Sequence, residues 1–93
     1  MIRSFRSTQT ERLWNRQRVR EFDNIAKIAL RRLTALDSAQ ALTELWIPPS
    51  NRLEALKGDR HGQHSIRIND QYRICFTWKD KNAYDVEITK HYG

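Results

Sequence analysis

The sequence predicts an α+β protein in which two or three helices pack on one face of a C-terminal antiparallel β-sheet. Apolar residues recur every three or four positions in residues 19–36, the period of an amphipathic helix. Pro48 and Pro49 then end the helical sequence, because proline disfavours helix at its own position and at the one before it. Beyond them, three successive segments alternate apolar and polar residues, which is the period of strands.

The N-terminal segment predicts a strand followed by a short helix. Residues 1–5, MIRSF, alternate in polarity and are typical of a short first strand. Thr8 precedes Glu11 by three positions, which is the pattern of a capping box at a helix start. We expect this helix to end at Trp14.

The long apolar period predicts the main helix, from Val19 to Leu36, about five turns long. Asp37 or Ser38 can cap a further short helix that ends at Leu45. The outer face of the main helix is basic, with Arg18, Arg20, Lys27, Arg31 and Arg32.

The strands are predicted in the second half of the chain, over residues 64–69, 72–78 and 83–89, after a shorter strand within 51–63. One face is apolar and is expected to pack on the main helix: Ile66, Ile68, Tyr72, Ile74, Phe76, Trp78, Tyr84, Val86 and Ile88. The other face is too polar for a core and is available to a ligand: Arg67, Arg73, Cys75, Thr77, Asp85, Glu87 and Thr89.

Length and composition indicate one domain over residues 1–93, with a modest core and no large enclosed cofactor pocket. The sequence has no apolar run of membrane-spanning length and no signal-peptide pattern, so we expect a cytoplasmic protein. Its single cysteine excludes an internal disulfide and agrees with a reducing compartment.

The net charge of +6 is unevenly distributed along the chain. Residues 1–36 hold nine basic and three acidic side chains, whereas residues 37–93 hold eight of each. Such an excess of cations favours polyanionic partners, and nucleic acid or a ribosome fits as well as a merely solvated helix surface.

Two groups of side chains could carry chemistry. The loop LKGDRHGQHS holds five polar side chains beside two glycines, and it is either a structural turn or an anion site: Lys57, Asp59, Arg60, His61 and His64. The two histidines lack a third ligand, which favours ordinary surface residues over a metal site. Arg73, in mid-strand on the polar face, is suited to hold a phosphate or to pair with Asp85 or Glu87 across the strands. Cys75, beside it, is predicted to be a small filler residue.

The stretch PPSNRLEALKGDRHGQHSIRINDQYRICFTW resembles the HigB toxins of the RelE superfamily, also called plasmid-maintenance killer proteins. The likeness includes MIRSF at the start and DVEI at 85–88, and so spans nearly the whole chain. It implies a RelE-like fold and a toxin that cleaves mRNA in the ribosomal A site, without metal or cofactor. It further implies a helix-turn-helix antitoxin of the HigA type as partner, with operator DNA contacted only through that antitoxin.

The resemblance also implies roles for individual residues. Lys57 and Arg73 match basic positions of the family and would stabilise the phosphate, although Lys57 could instead bind rRNA together with Arg60 and Arg67. Glu54 stands where some members carry histidine, and it either acts as a base or solvates the strand end. Tyr72 matches an aromatic position, and its inward parity favours the core over base stacking.

The tail departs from the family pattern. Members usually end Asp-Tyr-His, whereas this chain has Lys90-His91-Tyr92. In a strand such an exchange sends each side chain to the opposite face. Either Tyr92, with Lys57, Arg73 and Lys90, stabilises the charge on the phosphorane or donates a proton while His91 is the base, or catalysis is weak.

The alternative function is a non-catalytic RNA- or ribosome-binding module, or an antitoxin-binding corepressor. Residues 18–32 are the expected docking surface for an acidic antitoxin segment or rRNA.

Overall fold

The computed structural model describes residues 1–91, which form two α-helices and a four-stranded antiparallel sheet linked by 3₁₀ turns. The helices are α1 (Thr8–Trp14) and α2 (Ala26–Ser38), and the strands are β1 (Glu54–Ala55), β2 (His64–Arg67), β3 (Tyr72–Lys79) and β4 (Asn82–Lys90). The strands lie in the order β1-β2-β3-β4, each antiparallel to its neighbour. The predicted α+β class, with two helices packed on one face of the sheet, is confirmed.

The N-cap of helix α1 lies one residue earlier than predicted. Ser7 is the N-cap, and its hydroxyl accepts a hydrogen bond from the Thr10 backbone N–H at 3.1 Å. Thr8 is therefore the first helical residue rather than the cap, while the predicted end at Trp14 is confirmed.

Helix α2 is shorter than the predicted main helix, because a 3₁₀ turn at Arg20–Phe22 replaces its first part. Val19, Phe22 and Ile25 are spaced by exact threes and all are buried. A 3₁₀ helix has three residues per turn, so this spacing presents one apolar face in either helix type. The predicted apolar face is thus correct, but the α-helix predicted for residues 19–25 is wrong: only Arg20–Phe22 is helical there, as a 3₁₀ turn. Helix α2 also ends at Ser38, two residues beyond the predicted Leu36.

The predicted third helix is a 3₁₀ turn at Leu42–Trp46. Asp37 and Ser38 do not cap it, since α2 itself runs to Ser38. The Asp37 carboxylate instead accepts a hydrogen bond from the Ile2 backbone N–H at 2.9 Å and so attaches the start of the chain to α2.

Residues 1–6 run parallel to β4 along its outer edge. They form isolated bridges, Ile2 with Ala83 and Phe5 with Val86, rather than the continuous strand that the alternation predicts. Further along the same edge the Thr10 hydroxyl accepts a hydrogen bond from the Ile88 backbone N–H at 3.0 Å. The N-terminal segment and α1 therefore cover an edge that would otherwise offer free amides to another chain.

The core lies between the helices and the apolar face of the sheet, where Ile66, Ile74, Phe76 and Val86 are fully buried. The predicted inward position of Tyr84 is wrong. A register shift between Cys75 and Thr77 and a φ of 53° at Asp85 mark a β-bulge. The bulge pairs Tyr84 with Thr77 on the polar face and brings Ala83 into the core.

Within residues 1–91, neither helix has the length and apolar character needed to cross a bilayer.

Candidate functional site

The sheet face opposite the helices, here called the open face, carries two rows of side chains in register. One row crosses all four strands through Glu54, Ser65, Cys75 and Glu87. The second row is Arg67, Arg73 and Thr89. The backbone pairing thus fixes the relative positions of these groups, and the polar face predicted for β2 and β3 is where they lie.

Arg67 and Arg73 stand directly opposite each other on β2 and β3. Like charges in this arrangement repel each other and destabilise the sheet. Arg67 is partly satisfied, because its Nε donates to the Asn69 carbonyl at 3.1 Å and its guanidinium pairs with Asp70. The Nε of Arg73 is buried and has no hydrogen-bond partner within residues 1–91. A bound anion would relieve the repulsion between the two guanidinium groups.

A shallow pocket of about 230 Å³ opens beside this pair. Its lining is polar and consists of Arg52, Glu54, Ser65, Arg67, Asp70 and His91. Arg52 ends a 3₁₀ turn in the left-handed region, with a φ of 44°. The turn is held by the buried Asn51 side chain, which donates to the Leu45 carbonyl at 3.1 Å. The pocket therefore brings guanidinium groups together with two side chains that can transfer protons, Glu54 and His91.

His91 continues the ladder between β3 and β4. Its backbone N–H donates to the Gln71 carbonyl at 2.8 Å, and its ring Nε2 lies 3.1 Å from the Tyr72 carbonyl oxygen. Because a carbonyl only accepts, this contact places the proton on Nε2 and leaves Nδ1 of the neutral ring as an acceptor. The position of Tyr92, the other tail residue of interest, is outside the described residues.

Arg60 bridges the basic loop to β4 across the open face. Its guanidinium contacts Glu87 at 3.0 Å and donates to the Gln63 side chain, also at 3.0 Å. The sequence left open whether Glu87 or Asp85 pairs with Arg73, and Glu87 pairs with Arg60 instead. Glu87 belongs to the row of Cys75, next to the row of Arg73. Because Glu87 pairs with Arg60, Arg73 forms no ion pair within residues 1–91.

Of the predicted site residues within 1–91, Glu54, Arg67 and His91 line the pocket, whereas Lys57, Arg60, Arg73 and Lys90 do not. Lys57 is exposed at the start of the 3₁₀ turn Gly58–Arg60 and does not line it. Lys90 pairs with Tyr72 on the helix side of the sheet, and its ammonium lies 5.9 Å from the Tyr72 ring centroid. Tyr72 also packs edge-on against Phe22, with ring centroids 6.0 Å apart, which agrees with its predicted inward parity.

The histidines of the basic loop differ from expectation in one respect. His61 is exposed, but His64 is half-buried on the helix side, where it stacks on Phe76 with ring centroids 6.2 Å apart. The cause is its pairing with Phe76 in the sheet, which the sequence could not show. Residues 1–91 contain no cluster of three or more His, Cys, Asp or Glu side chains that could hold a metal ion.

Sequence reasoning missed Arg52, Ser65 and Asp70 as lining residues of the pocket. Arg52 lies before β1, at the left-handed end of a 3₁₀ turn, so strand parity does not place it on the face of Glu54. Asp70 reaches the pocket because the connection after β2 folds back toward Arg67. The spacing of polar and apolar residues does not predict this fold of the connection.

Cys75 is predicted to be unreactive. It is buried on β3, and burial raises the pKa of its thiol, an effect that the nearby cations Arg73 and Arg60 only partly offset. Because the thiolate is the reactive form, we expect iodoacetamide to label the native protein very slowly at neutral pH. Labelling should become rapid in concentrated guanidinium chloride, where the thiol regains its usual pKa of about 8.5. Equal labelling rates in the two conditions would contradict this assignment.

Comparisons with known proteins agree with this architecture. A family model described as the RelE-like toxin HigB of type II toxin–antitoxin systems matches residues 3–91. Toxin HigB-1 of Vibrio cholerae is 44% identical over 68 residues, covering 73% of this chain and 72% of that protein. An uncharacterised Haemophilus influenzae protein is 28% identical over 68 residues, covering 73% of this chain and 67% of its own.

Two solved structures of YoeB–YefM complexes from Staphylococcus aureus share the fold. Each has a TM-score of 0.58, with 20% and 18% identity, and the matches cover 99% or more of both chains. The fold is therefore RelE-like, as the resemblance implied. With the family match over nearly its whole length, the chain belongs to the HigB family of RelE-like toxins of type II toxin–antitoxin systems.

Proposed function

We propose that this toxin is a metal-independent endoribonuclease that cleaves mRNA in the ribosomal A site and so inhibits translation. The observation that carries the proposal is the Arg67–Arg73 pair, two opposed guanidinium groups, beside a pocket that Arg67 lines together with Glu54 and His91. RelE-like toxins are generally endoribonucleases, which agrees with this site.

The chemistry that fits these groups needs no cofactor. The ribose 2′-oxygen attacks the adjacent phosphorus, and the bond to the 5′-oxygen breaks, which leaves a 2′,3′-cyclic phosphate and a 5′-hydroxyl. A base must take the 2′-hydroxyl proton, and an acid must return one to the leaving oxygen. Nδ1 of neutral His91 is suited to the first role, with Glu54 as the alternative base, and Tyr92 to the second. Arg73 and Arg67 stabilise the charge that accumulates on the phosphorane.

The shape of the site explains why a ribosome would be required. The pocket is shallow and open, so it can hold a phosphate but does little to orient a flexible RNA chain. Orientation accounts for a large part of the barrier to such reactions, and a ribosome that presents the A-site codon would supply it. The excess of basic side chains in residues 1–36, together with Lys57, Arg60 and Lys90, would bind rRNA.

The partner we propose is a helix-turn-helix antitoxin of the HigA type, which would link the toxin to operator DNA. The family description and the two YoeB–YefM complexes, in which a toxin of the same fold is bound to another protein, support this. The reaction places the protein in the cytoplasm, where ribosomes and mRNA are found.

The test is cleavage on programmed ribosomes, with the 3′ ends of A-site mRNA mapped for the native protein, His91→Ala and Tyr92→Ala. We expect the His91 variant to lose about 10²- to 10⁴-fold in rate, the usual contribution of a general acid or base. Loss in either variant would show that the rearranged tail transfers protons.

The alternative function, a non-catalytic ribosome- or antitoxin-binding module, makes the opposite prediction in the same assay. The native protein would bind ribosomes without cleaving mRNA, and a variant carrying Lys90→Asp, His91→Tyr and Tyr92→His would gain cleavage. Equal cleavage by the native protein and this triple variant would exclude the alternative.

A further inference from the structure

A second recess lies on the helix layer, on the other side of the molecule from the open face. This recess, here called the helix groove, has a volume of about 240 Å³ between the end of α1 and the start of α2. Its floor is apolar, formed by Leu13, Val19, Ala26 and Leu30. Arg16, Gln17, Arg18 and Asp23 form its rim.

The surface around the helix groove is cationic. Asp23 on the rim pairs with Arg18 at 2.7 Å. The other charged side chains of residues 8–31 are all exposed and comprise two carboxylates, Glu11 and Glu21, and five basic groups: Arg12, Arg16, Arg20, Lys27 and Arg31. The net charge around the helix groove is therefore positive.

An apolar floor inside a cationic rim fits one class of ligand better than another. RNA phosphates would be attracted by the rim, but they gain nothing from Val19, Ala26 and Leu30. An amphipathic helix would use both features, since its apolar anchors occupy such a groove while acidic residues on its flanks meet the arginines. The combination favours a protein segment.

We propose that the helix groove binds an acidic amphipathic segment of the antitoxin, with an aliphatic side chain on Leu13, Val19, Ala26 and Leu30. This rests on the antitoxin partner of the proposed function, but not on the cleavage chemistry. Occupation of the helix groove leaves the Arg67–Arg73 pair on the other face of the sheet uncovered.

The experiment is titration of the purified toxin with the proposed HigA-type antitoxin, measured by calorimetry. Leu30→Glu puts a carboxylate on the floor of the helix groove, and Arg16→Glu reverses a charge on its rim. We expect each variant to lose about tenfold or more in affinity. The carboxylate of Leu30→Glu would face the apolar anchor of the antitoxin, and that of Arg16→Glu would face its acidic flanks. Arg16 is exposed, so its variant reports on binding even where Leu30→Glu lowers stability.

Ile28→Glu is the matched control, since Ile28 is exposed on α2 and roughly 160° around the helix from Leu30. It should change the affinity less than twofold. Native affinity in both groove variants would overturn the proposal, as would a native protein that does not bind the antitoxin. Loss of ribosome binding with antitoxin affinity intact would assign the helix groove to RNA and also overturn it. Cleavage of A-site mRNA by the native protein is measured separately. Because the helix groove plays no part in that reaction, a failure of this proposal can be told apart from a failure of the endonuclease proposal.

Discussion

Arg73→Ala is expected to abolish growth arrest by this toxin while the protein still folds. On the proposed mechanism Arg73 stabilises the phosphorane directly, and loss of such a group lowers the rate by about 10²- to 10³-fold. The fold should tolerate the change, because it removes one of two opposed arginines and a buried donor without a partner within residues 1–91. The measurements are A-site cleavage rate and thermal unfolding of the same preparation.

Lys79→Ala is the matched control for this variant. Lys79 lies on the same strand and the same face, about 20 Å from Arg73 along the strand. Its substitution by alanine removes one positive charge, as Arg73→Ala does. It should retain nearly native cleavage. Full toxicity in a stably folded Arg73→Ala protein would remove the open face as the catalytic site, whereas Arg73→Lys separates the need for charge from the need for a planar fork.

Phe76→Ala is expected to have the largest effect on stability, about 3–5 kcal/mol. Phe76 is fully buried at the centre of the sheet, stacked on His64 and edge-on to Trp78 at a centroid distance of 6.4 Å. A domain of this size has a total stability of about 5–15 kcal/mol, so the variant is expected to be close to unfolded. Urea unfolding monitored by tryptophan fluorescence measures the difference.

The neighbouring residue provides the control for the core variant. Thr77 is half-buried on the open face, so Thr77→Ala should change the free energy of unfolding by much less than Phe76→Ala. A loss below about 1 kcal/mol for Phe76→Ala would contradict the assignment of Phe76 to a tightly packed core.

Periodicity predicted most of the fold because it reports which face of an element is buried. The apolar positions of α2 and of β2 and β3 are correct for this reason. Periodicity failed to predict the structure where the backbone changes its geometry without changing the spacing of apolar residues, as in the 3₁₀ turn at Arg20–Phe22. It also failed at the bulge near Asp85, which inverts the parity of Tyr84.

The candidate site was predictable only in part. Strand parity alone places Arg67 and Arg73 on one face, and the structure adds that they are directly opposed. The Arg60–Glu87 ion pair joins residues 27 positions apart, and the contact of His91 with the Tyr72 carbonyl spans 19. Such contacts depend on how the loop and the tail fold back over the sheet, which a local pattern in the sequence cannot report.

The pairing of residues 1–6 with β4 has a consequence for the folding of the toxin during its synthesis. The first segment emerges early in translation, yet its hydrogen-bond partners, such as Val86, are synthesised about 80 residues later. Contacts between such distant residues form late, after the intervening chain has emerged. A nascent toxin therefore cannot complete its sheet, or hold Arg73 beside Thr89, until β4 has left the exit tunnel. On the proposed function, the ribosome that makes the toxin is spared from it during most of the toxin's own synthesis.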